Sequence, residues 1–240
     1  MNFAVLQFPG SNCDQDCVHV LRNVMGHPTQ LLWHKEDNVG DADAVVVPGG
    51  FSYGDYLRTG SIARFSPVMG AVKEFAENGG YVLGICNGFQ VLIKSGILLD
   101  DNENGDPPAT LCWNDHGRYE DRWVHLEFDP DSPCVWTQGL ESIRVPVRHG
   151  EGKFVTTIEA NLDQWAENGQ LVVRYVDPDD TYPSAGDELL PFPICPNASM
   201  RNIAGVCDPT GRIFGLMPHP EANHSTWLGA TWTRELVEHG

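Results

Sequence analysis

The chain has 240 residues and carries 33 acidic against 15 basic side chains, a formal net charge of -18. That balance argues against non-specific nucleic-acid binding and against attraction to an anionic membrane surface, both of which need Lys- and Arg-rich faces. A hydrophobic content of 41% at this length is that of a globular chain with one full core, so a single domain over residues 1–240 is expected.

Phe3–Phe8 reads as a buried strand, followed by a turn at Pro9-Gly-Ser-Asn12 and a helix over Asp14–Met25, with Asn12 or Asp14 as its cap. Gln30–Trp33 and Ala44–Val47 are further short strands. Pro67–Glu77 has Val68, Ala71, Val72 and Phe75 on one helical face, and Gly79-Gly80 ends it. Tyr81–Ile85 is the next strand. Strands that alternate with helices predict an α/β fold with a parallel sheet covered on both faces. The second half is richer in strands, over Arg122–Phe128, Ile143–Val147, Leu171–Tyr175, Ile203–Val206 and Ile213–Met217. Helices are expected over Ile158–Glu167 and Thr226–Glu238, and surface loops over the acidic, Pro-rich stretches Asp100–Pro108 and Asp177–Pro193.

The strand Tyr81–Ile85 ends in Gly84-Ile-Cys86-Asn-Gly88, and a helical pattern follows at once. A Gly-x-Cys-x-Gly sequence between strand and helix is the layout of a nucleophile elbow, in which the turn is so sharp that both neighbours must be small. It sets the sulfur at a helix N-terminus, whose free N–H groups favour an anion. A cysteine nucleophile needs a base, and the base an orienting group. Near the other end stands Met217-Pro-His219-Pro-Glu221. The prolines push Met217 and His219 towards extended geometry, where residues two apart point to one side. Glu221 is then placed to hold one tautomer of His219 and leave its other nitrogen for Cys86. In parallel sheets such sites lie beyond the carboxyl ends of the strands, where both Cys86 and Pro48-Gly49-Gly50 fall.

The other cysteines are 13, 17, 112, 134, 195 and 207. No CxxC pair occurs, and neither an export signal nor a membrane-spanning run is legible, so reduced thiols in the cytoplasm are expected. Cys13 and Cys17, four apart on a helix, are read as ordinary thiols because no further ligand stands beside them in sequence, and no metal site is expected.

Gly84-Ile-Cys-Asn-Gly-Phe-Gln90 with His219-Pro-Glu221 resembles the class I, or triad, glutamine amidotransferases. Phe8-Pro-Gly-Ser-Asn-Cys-Asp14, Pro48-Gly-Gly-Phe-Ser-Tyr-Gly-Asp-Tyr-Leu-Arg58, Arg148-His-Gly-Glu-Gly-Lys-Phe154 and Asn202-Ile-Ala-Gly-Val206 narrow the likeness to the glutaminase subunits of phosphoribosylformylglycinamidine synthase. The resemblance runs nearly end to end. It implies a flavodoxin-like sheet, with Cys86 as nucleophile, His219 as base and Glu221 as its orienting acid. It further implies an oxyanion hole from the N–H groups of Gly50 or Phe51 and of Asn87, and substrate contacts at Gly49, Gln90, His149 and Gly150. Ammonia from glutamine would pass to a separate synthetase subunit of the PurL type, through a small bridging subunit of the PurS type, with ATP and magnesium used by the synthetase and no cofactor on this chain. Tyr53, Asp55 and Arg58 would face that partner. Two positions depart from the family pattern: Cys195-Pro-Asn-Ala198-Ser stands where Asn-Pro-Asn-Gly-Ser is usual, and Ala222 where Arg is common. A glutaminase subunit of another complex, for guanylate, histidine or pyridoxal phosphate synthesis, and a non-catalytic binding module remain as alternatives.

Overall fold

The computed structural model describes residues 1–100, 105–182 and 187–239, so the predicted loops Asp100–Pro108 and Asp177–Pro193 lie in part outside the described residues. Eleven strands and five α-helices are present among them. The first half supplies β1 (Phe3–Gln7), α1 (Asp14–His19), β2 (Thr29–Trp33), β3 (Ala44–Val47), α2 (Pro67–Glu77), β4 (Tyr81–Ile85) and α3 (Asn87–Lys94). The second supplies β5 (Thr110–Cys112), β6 (Glu120–Phe128), β7 (Ser142–His149), β8 (Lys153–Val155), α4 (Glu159–Glu167), β9 (Val173–Val176), β10 (Ile203–Cys207), β11 (Ile213–Leu216) and α5 (Trp232–His239).

Nine strands form one sheet in the order β2-β1-β3-β4-β11-β10-β9-β6-β7, and β5 pairs with β8 separately. The five strands from β2 to β11 run parallel. Their order, with β1 beside β3, is the flavodoxin-like winding. The chain moves one way from β1 to β2 and the other way from β3 to β4, so right-handed crossovers put α1 and α2 on opposite faces. A strand covered on both faces needs a continuous apolar run, and all four residues of Ala44–Val47 are buried. From β11 onward the pairings are antiparallel, which accounts for the strand-rich second half of the sequence. Helix α3 packs on β3, β4 and β11, and Phe89 from it stacks on Phe154, with ring centroids 6.3 Å apart.

Two predicted helices differ in detail, and two short strands appear that the sequence does not predict. The first helix changes from α to π winding over Val20–Val24 and stops at Gly26, whose φ is +75°. The predicted C-terminal helix breaks at Gly229 into a short 3-10 turn over Thr226–Leu228 and then α5. β5 and β8, three residues each, are too short to leave a periodic signal. No described helix is long and apolar enough to cross a membrane.

Candidate active site

Because β1, β3, β4 and β11 are parallel, the loops that follow them share one edge of the sheet. Those loops carry Cys13, Gly49-Gly50, Cys86 and His219. The turn at Cys86 is as sharp as the sequence requires: its φ is +51° and ψ -103°, a conformation that L-residues avoid unless the surroundings enforce it. Enforcement comes from both sides. The Cys86 N–H donates to the Leu216 carbonyl at 2.7 Å, and the Gln90 N–H, one turn into α3, donates to the Cys86 carbonyl at 3.2 Å. A Cβ on Gly88 would lie 1.8 Å from the Val47 carbonyl oxygen, and one on Gly84 would lie 2.6 Å from Leu92 Cδ1. Both glycines are therefore needed for the close approach of β3, β4 and α3. The Asn87 N–H opens the helix and has no intrahelical acceptor.

His219 is nearly fully buried. Its N–H donates to the Pro146 carbonyl at 2.8 Å, and its Nδ1 meets Glu221 Oε1 at 2.6 Å. The expected pairing two residues apart is present, although Glu221 sits in a 3-10 turn, Pro220–Asn223, rather than an extended segment. The imidazole lies directly over Gly49, where a Cβ would come within 2.7 Å of His219 Cε1. Glu221 fixes the proton on Nδ1, and Nε2 is buried with no hydrogen-bond partner among the described residues. Burial alone lowers the pKa of His219. The negative charges of a Cys86 thiolate and of Glu221 outweigh it and hold the imidazole well above its usual range.

His149 shows the opposite behaviour. Complete burial, then the charge of His219, pushes its pKa down to about 3. It stays neutral, its Nδ1 3.1 Å from Asn114 Oδ1. Two histidines with pKa values driven apart divide the labour in an acid–base site: one carries protons and the other offers a neutral polar surface.

A cavity of about 230 Å³ opens over Cys86, between Gly50 and Phe51 on one side and Arg148, His149, Gly150 and Glu151 on the other. It is smaller than the roughly 300–1,000 Å³ of drug-sized sites, and so suits an amino acid better than a nucleotide. Gln90 lines it, yet both ends of its amide are engaged within the protein. Nε2 donates to the Glu151 carbonyl at 2.6 Å, and Oε1 accepts from Asn87 Nδ2 at 2.9 Å. Gln90 thus braces the elbow against the 149–152 loop. Gly50 has a φ of +130° and pairs with Ser11 as an isolated bridge. The Phe51 N–H is committed to the Gly10 carbonyl at 3.0 Å, while no acceptor for the Gly50 N–H occurs among the described residues.

The three residues expected to face a partner separate. The Tyr53 hydroxyl is held inside, 2.8 Å from both His34 Nδ1 and Ser66 Oγ. Asp55 borders the cavity, and burial followed by the charge of Glu151 raises its pKa to about 6. Arg58 pairs with Glu151 Oε2 at 2.9 Å, which also accepts from Thr59 Oγ1 at 3.2 Å. Arg58 keeps its side chain exposed in that pair, next to the outward-facing Tyr56 and Leu57, 75% and 85% exposed.

Sequence reasoning missed the scaffold of the 149–154 loop. Asn114 Nδ2 donates to the His149 carbonyl at 2.9 Å, and its Oδ1 accepts from the Gly152 N–H at 3.1 Å. Asn197 Nδ2 donates to the Gly152 carbonyl at 2.9 Å, and Ser199 Oγ accepts the Phe154 N–H at 3.0 Å. Cys195, in place of the usual Asn, aims its thiol at Asn197 Oδ1, 3.6 Å away. Ala198, in place of the usual Gly, is held at a φ of +61°.

An elbow cysteine at the carboxyl edge of a flavodoxin-like parallel sheet, beside a buried histidine–glutamate pair, defines the class of glutamine amidotransferases. The family model for the CobB/CobQ-like glutamine amidotransferase domain matches residues 1–239. The chain is 46% identical over 240 residues to "Phosphoribosylformylglycinamidine synthase subunit PurQ" of Gloeobacter violaceus, covering 99% of this chain and 96% of the relative. It is 41% identical over 239 residues to the PurQ subunit of Moorella thermoacetica, covering 99% and 94%. A solved structure of PurLQS from Thermotoga maritima contains a chain that superposes with a TM-score of 0.74 at 32% identity, covering 99% of this chain and 95% of that one. The chain belongs to the PurQ family of glutamine amidotransferases.

Proposed function

We propose that this chain hydrolyses L-glutamine through a thioester on Cys86 and supplies the ammonia to a separate synthetase subunit of the PurL type, with a small PurS-type subunit bridging the two. The synthetase would use ATP and magnesium to turn formylglycinamide ribonucleotide into its amidine. The complex is placed in the cytoplasm, a location supported by seven free thiols, one of which must stay reduced to act. Cys86 Sγ attacks the side-chain amide carbon and its proton passes to His219 Nε2. The oxyanion that forms is met by the N–H groups of Asn87 and Gly50, joined by that of Phe51 once its peptide is turned away from Gly10. His219 returns the proton to the departing nitrogen, which leaves as ammonia. Water, deprotonated by the same nitrogen, then cleaves the thioester to glutamate. Glu221 orients His219 and balances its charge without accepting the proton. His149, Gly150 and Gly49 shape the walls around the substrate, and Gln90 holds the floor.

The observation that carries this reading is the His219–Glu221 contact of 2.6 Å, which leaves Nε2 buried without a hydrogen-bond partner among the described residues, in an imidazole close enough to Cys86 to feel its charge. The experiment is glutamate release from glutamine by the chain alone and with its synthetase, substrate and nucleotide. Cys86→Ala is expected to abolish glutamine-dependent activity and to preserve ammonia-dependent amidine synthesis. Glutamine hydrolysis that persists in a clean Cys86→Ala preparation would remove Cys86 from its role. We further propose that the isolated chain is a poor glutaminase, because the Phe51 N–H is turned to Gly10. Docking at the loop that carries Tyr56, Leu57 and Arg58 would reset the Gly50-Phe51 peptide and complete the hole. A missing oxyanion donor costs roughly 10²–10³ in rate, so activation by the partner on that scale is expected, and full activity in isolation counts against it.

A further inference from the structure

Behind the His219 ring the fold adds to the His219–Glu221 pair a third donor, Cys13, that the hydrolysis of glutamine does not use. Cys13 Sγ lies 3.8 Å from His219 Nδ1, and Glu221 Oε1 lies 2.6 Å from the same nitrogen. One donor atom from each of the three residues falls within 4.8 Å of the other two, and all three residues are buried. The second oxygen, Glu221 Oε2, is buried with no hydrogen-bond partner among the described residues. An unpaired carboxylate oxygen at that depth costs free energy unless something positive or hydrogen-bonding reaches it. Access exists. A second cavity, of about 150 Å³, adjoins the one over Cys86 across Gly50, Phe51, Tyr119 and Arg148 and is bordered by Cys13, His219 and the exposed Asp16. The net charge of -18 draws cations towards such an opening.

We propose that Cys13, His219 and Glu221 form a site for a thiophilic divalent cation of the zinc class, and that its occupancy switches the glutaminase off. Thiolate, imidazole and carboxylate together are the donor set that zinc favours over magnesium or calcium. Tetrahedral zinc with ordinary bond lengths holds nitrogen and oxygen donors about 3.3 Å apart and sulfur and nitrogen donors about 3.5 Å apart. From the present 2.6 and 3.8 Å, the carboxylate has to retreat by about 0.7 Å and the thiol to advance by about 0.3 Å, both within the reach of side-chain rotation. The fourth position falls to water from the cavity. Binding expels the Cys13 thiol proton to solvent. It also takes the Nδ1 lone pair, so the imidazole proton comes to reside on Nε2. That nitrogen can then no longer accept the proton of Cys86, and Glu221 no longer holds the working tautomer. The switch rests on the catalytic reading given above; the site itself does not.

The test uses Co²⁺ as a spectroscopic probe on the full chain carrying Cys86→Ala, so that the elbow thiol is not a ligand. A thiolate-to-cobalt absorption band of one equivalent is expected, displaced by Zn²⁺ and lost when Cys13→Ser is added. Cys13→Ala serves as a second variant, and thermal melts check that both fold. On the wild-type elbow, Zn²⁺ is expected to inhibit glutamate release reversibly with a chelator. Cys13→Ser is expected to shift the inhibition constant at least about tenfold, relative to that variant's own uninhibited rate. A band that survives in Cys13→Ser, or the lack of any band in Cys86→Ala alone, overturns the site. Equal inhibition of both chains by Zn²⁺ overturns the switch. A chain that binds Co²⁺ through Cys13 yet never releases glutamate refutes the catalytic reading and leaves the site standing.

Discussion

Gly88→Ala tests whether the elbow is held by steric closure between α3 and β3. The added Cβ would lie 1.8 Å from the Val47 carbonyl oxygen and 2.6 Å from its carbon. Carbon atoms in contact prefer about 3.5–4.0 Å, so the start of α3 and the end of β3 must separate by more than an ångström. Neither is a flexible side chain. Alanine's gains are about 0.8 kcal/mol for a buried methyl and at most about 1 kcal/mol of helix propensity. Overpacking that forces backbone to move costs about 1–3 kcal/mol, occasionally more, on top of erasing those gains. Gly70→Ala is the control, because Gly70 lies exposed in α2 and a Cβ there meets nothing within 4 Å. It is expected to stabilise by about 0.5–1 kcal/mol. The same chemical change should thus have opposite signs on two helices, with the gap near 3 kcal/mol in urea unfolding midpoints. Activity supplies a second reading. The backbone shift carries Cys86 and the Asn87 N–H with it, and a 1 Å misplacement costs on the order of 10² in rate. A Gly88→Ala chain that unfolds at the wild-type midpoint and releases glutamate at the wild-type rate would refute the closure.

Glu221→Gln is expected to lower glutamate release less than His219→Ala does, because the acid orients the base without carrying its proton; equal losses measured by steady-state kinetics would give Glu221 a larger share. His149 should make the fold acid-sensitive. Its folded pKa of about 3 lies below the 6.5 of the unfolded chain, so stability is complete above about pH 6.5 and falls as the unfolded chain takes up a proton that the folded one refuses, at up to about 1.4 kcal/mol per pH unit. His149→Asn should flatten that stretch of the urea-midpoint profile between pH 6.5 and 4, whereas a parallel profile for the variant would assign the acid sensitivity elsewhere. Ala198→Gly should raise stability by about 1 kcal/mol, since the left-handed φ of +61° costs an L-residue roughly 1–2 kcal/mol and glycine gives part of that back as unfolded-state entropy; a drop in melting temperature would mean that the Ala198 methyl packs more tightly than its backbone strains.

What the sequence disclosed about this molecule follows the range of each interaction. The elbow is legible because its constraints are local: an apolar run, two small residues at fixed offsets and a helix beginning one residue past Cys86. The His219–Glu221 pair is legible for the same reason, since two prolines and a spacing of two settle it within five residues. The parallel half of the sheet is legible because burial on both faces writes continuous runs such as Ala44–Val47. The walls of the cavity are not local. Asn114 holds the 149–152 loop across 35 and 38 residues of sequence, and a lone asparagine near a tryptophan gives no sign of that. Cys13 reaches His219 across 206 residues, so the sequence could offer only Cys17 as its neighbour, and a metal reading had nothing to stand on until the sheet brought the ends of β1 and β11 to one edge. Tyr53 sits in a glycine-rich stretch that reads as solvated, yet its ring and hydroxyl find His34 and Ser66, and the residues left facing outward include the apolar Tyr56 and Leu57. That exchange has a physical cause. A loop that exposes apolar side chains needs an internal anchor, and a tyrosine with two hydrogen-bond partners supplies one. Tyr53 therefore fixes the loop from behind, and Arg58 donates to the Glu151 carboxylate, whose residue's carbonyl accepts from Gln90, so the loop is joined to the elbow by two hydrogen-bonded steps.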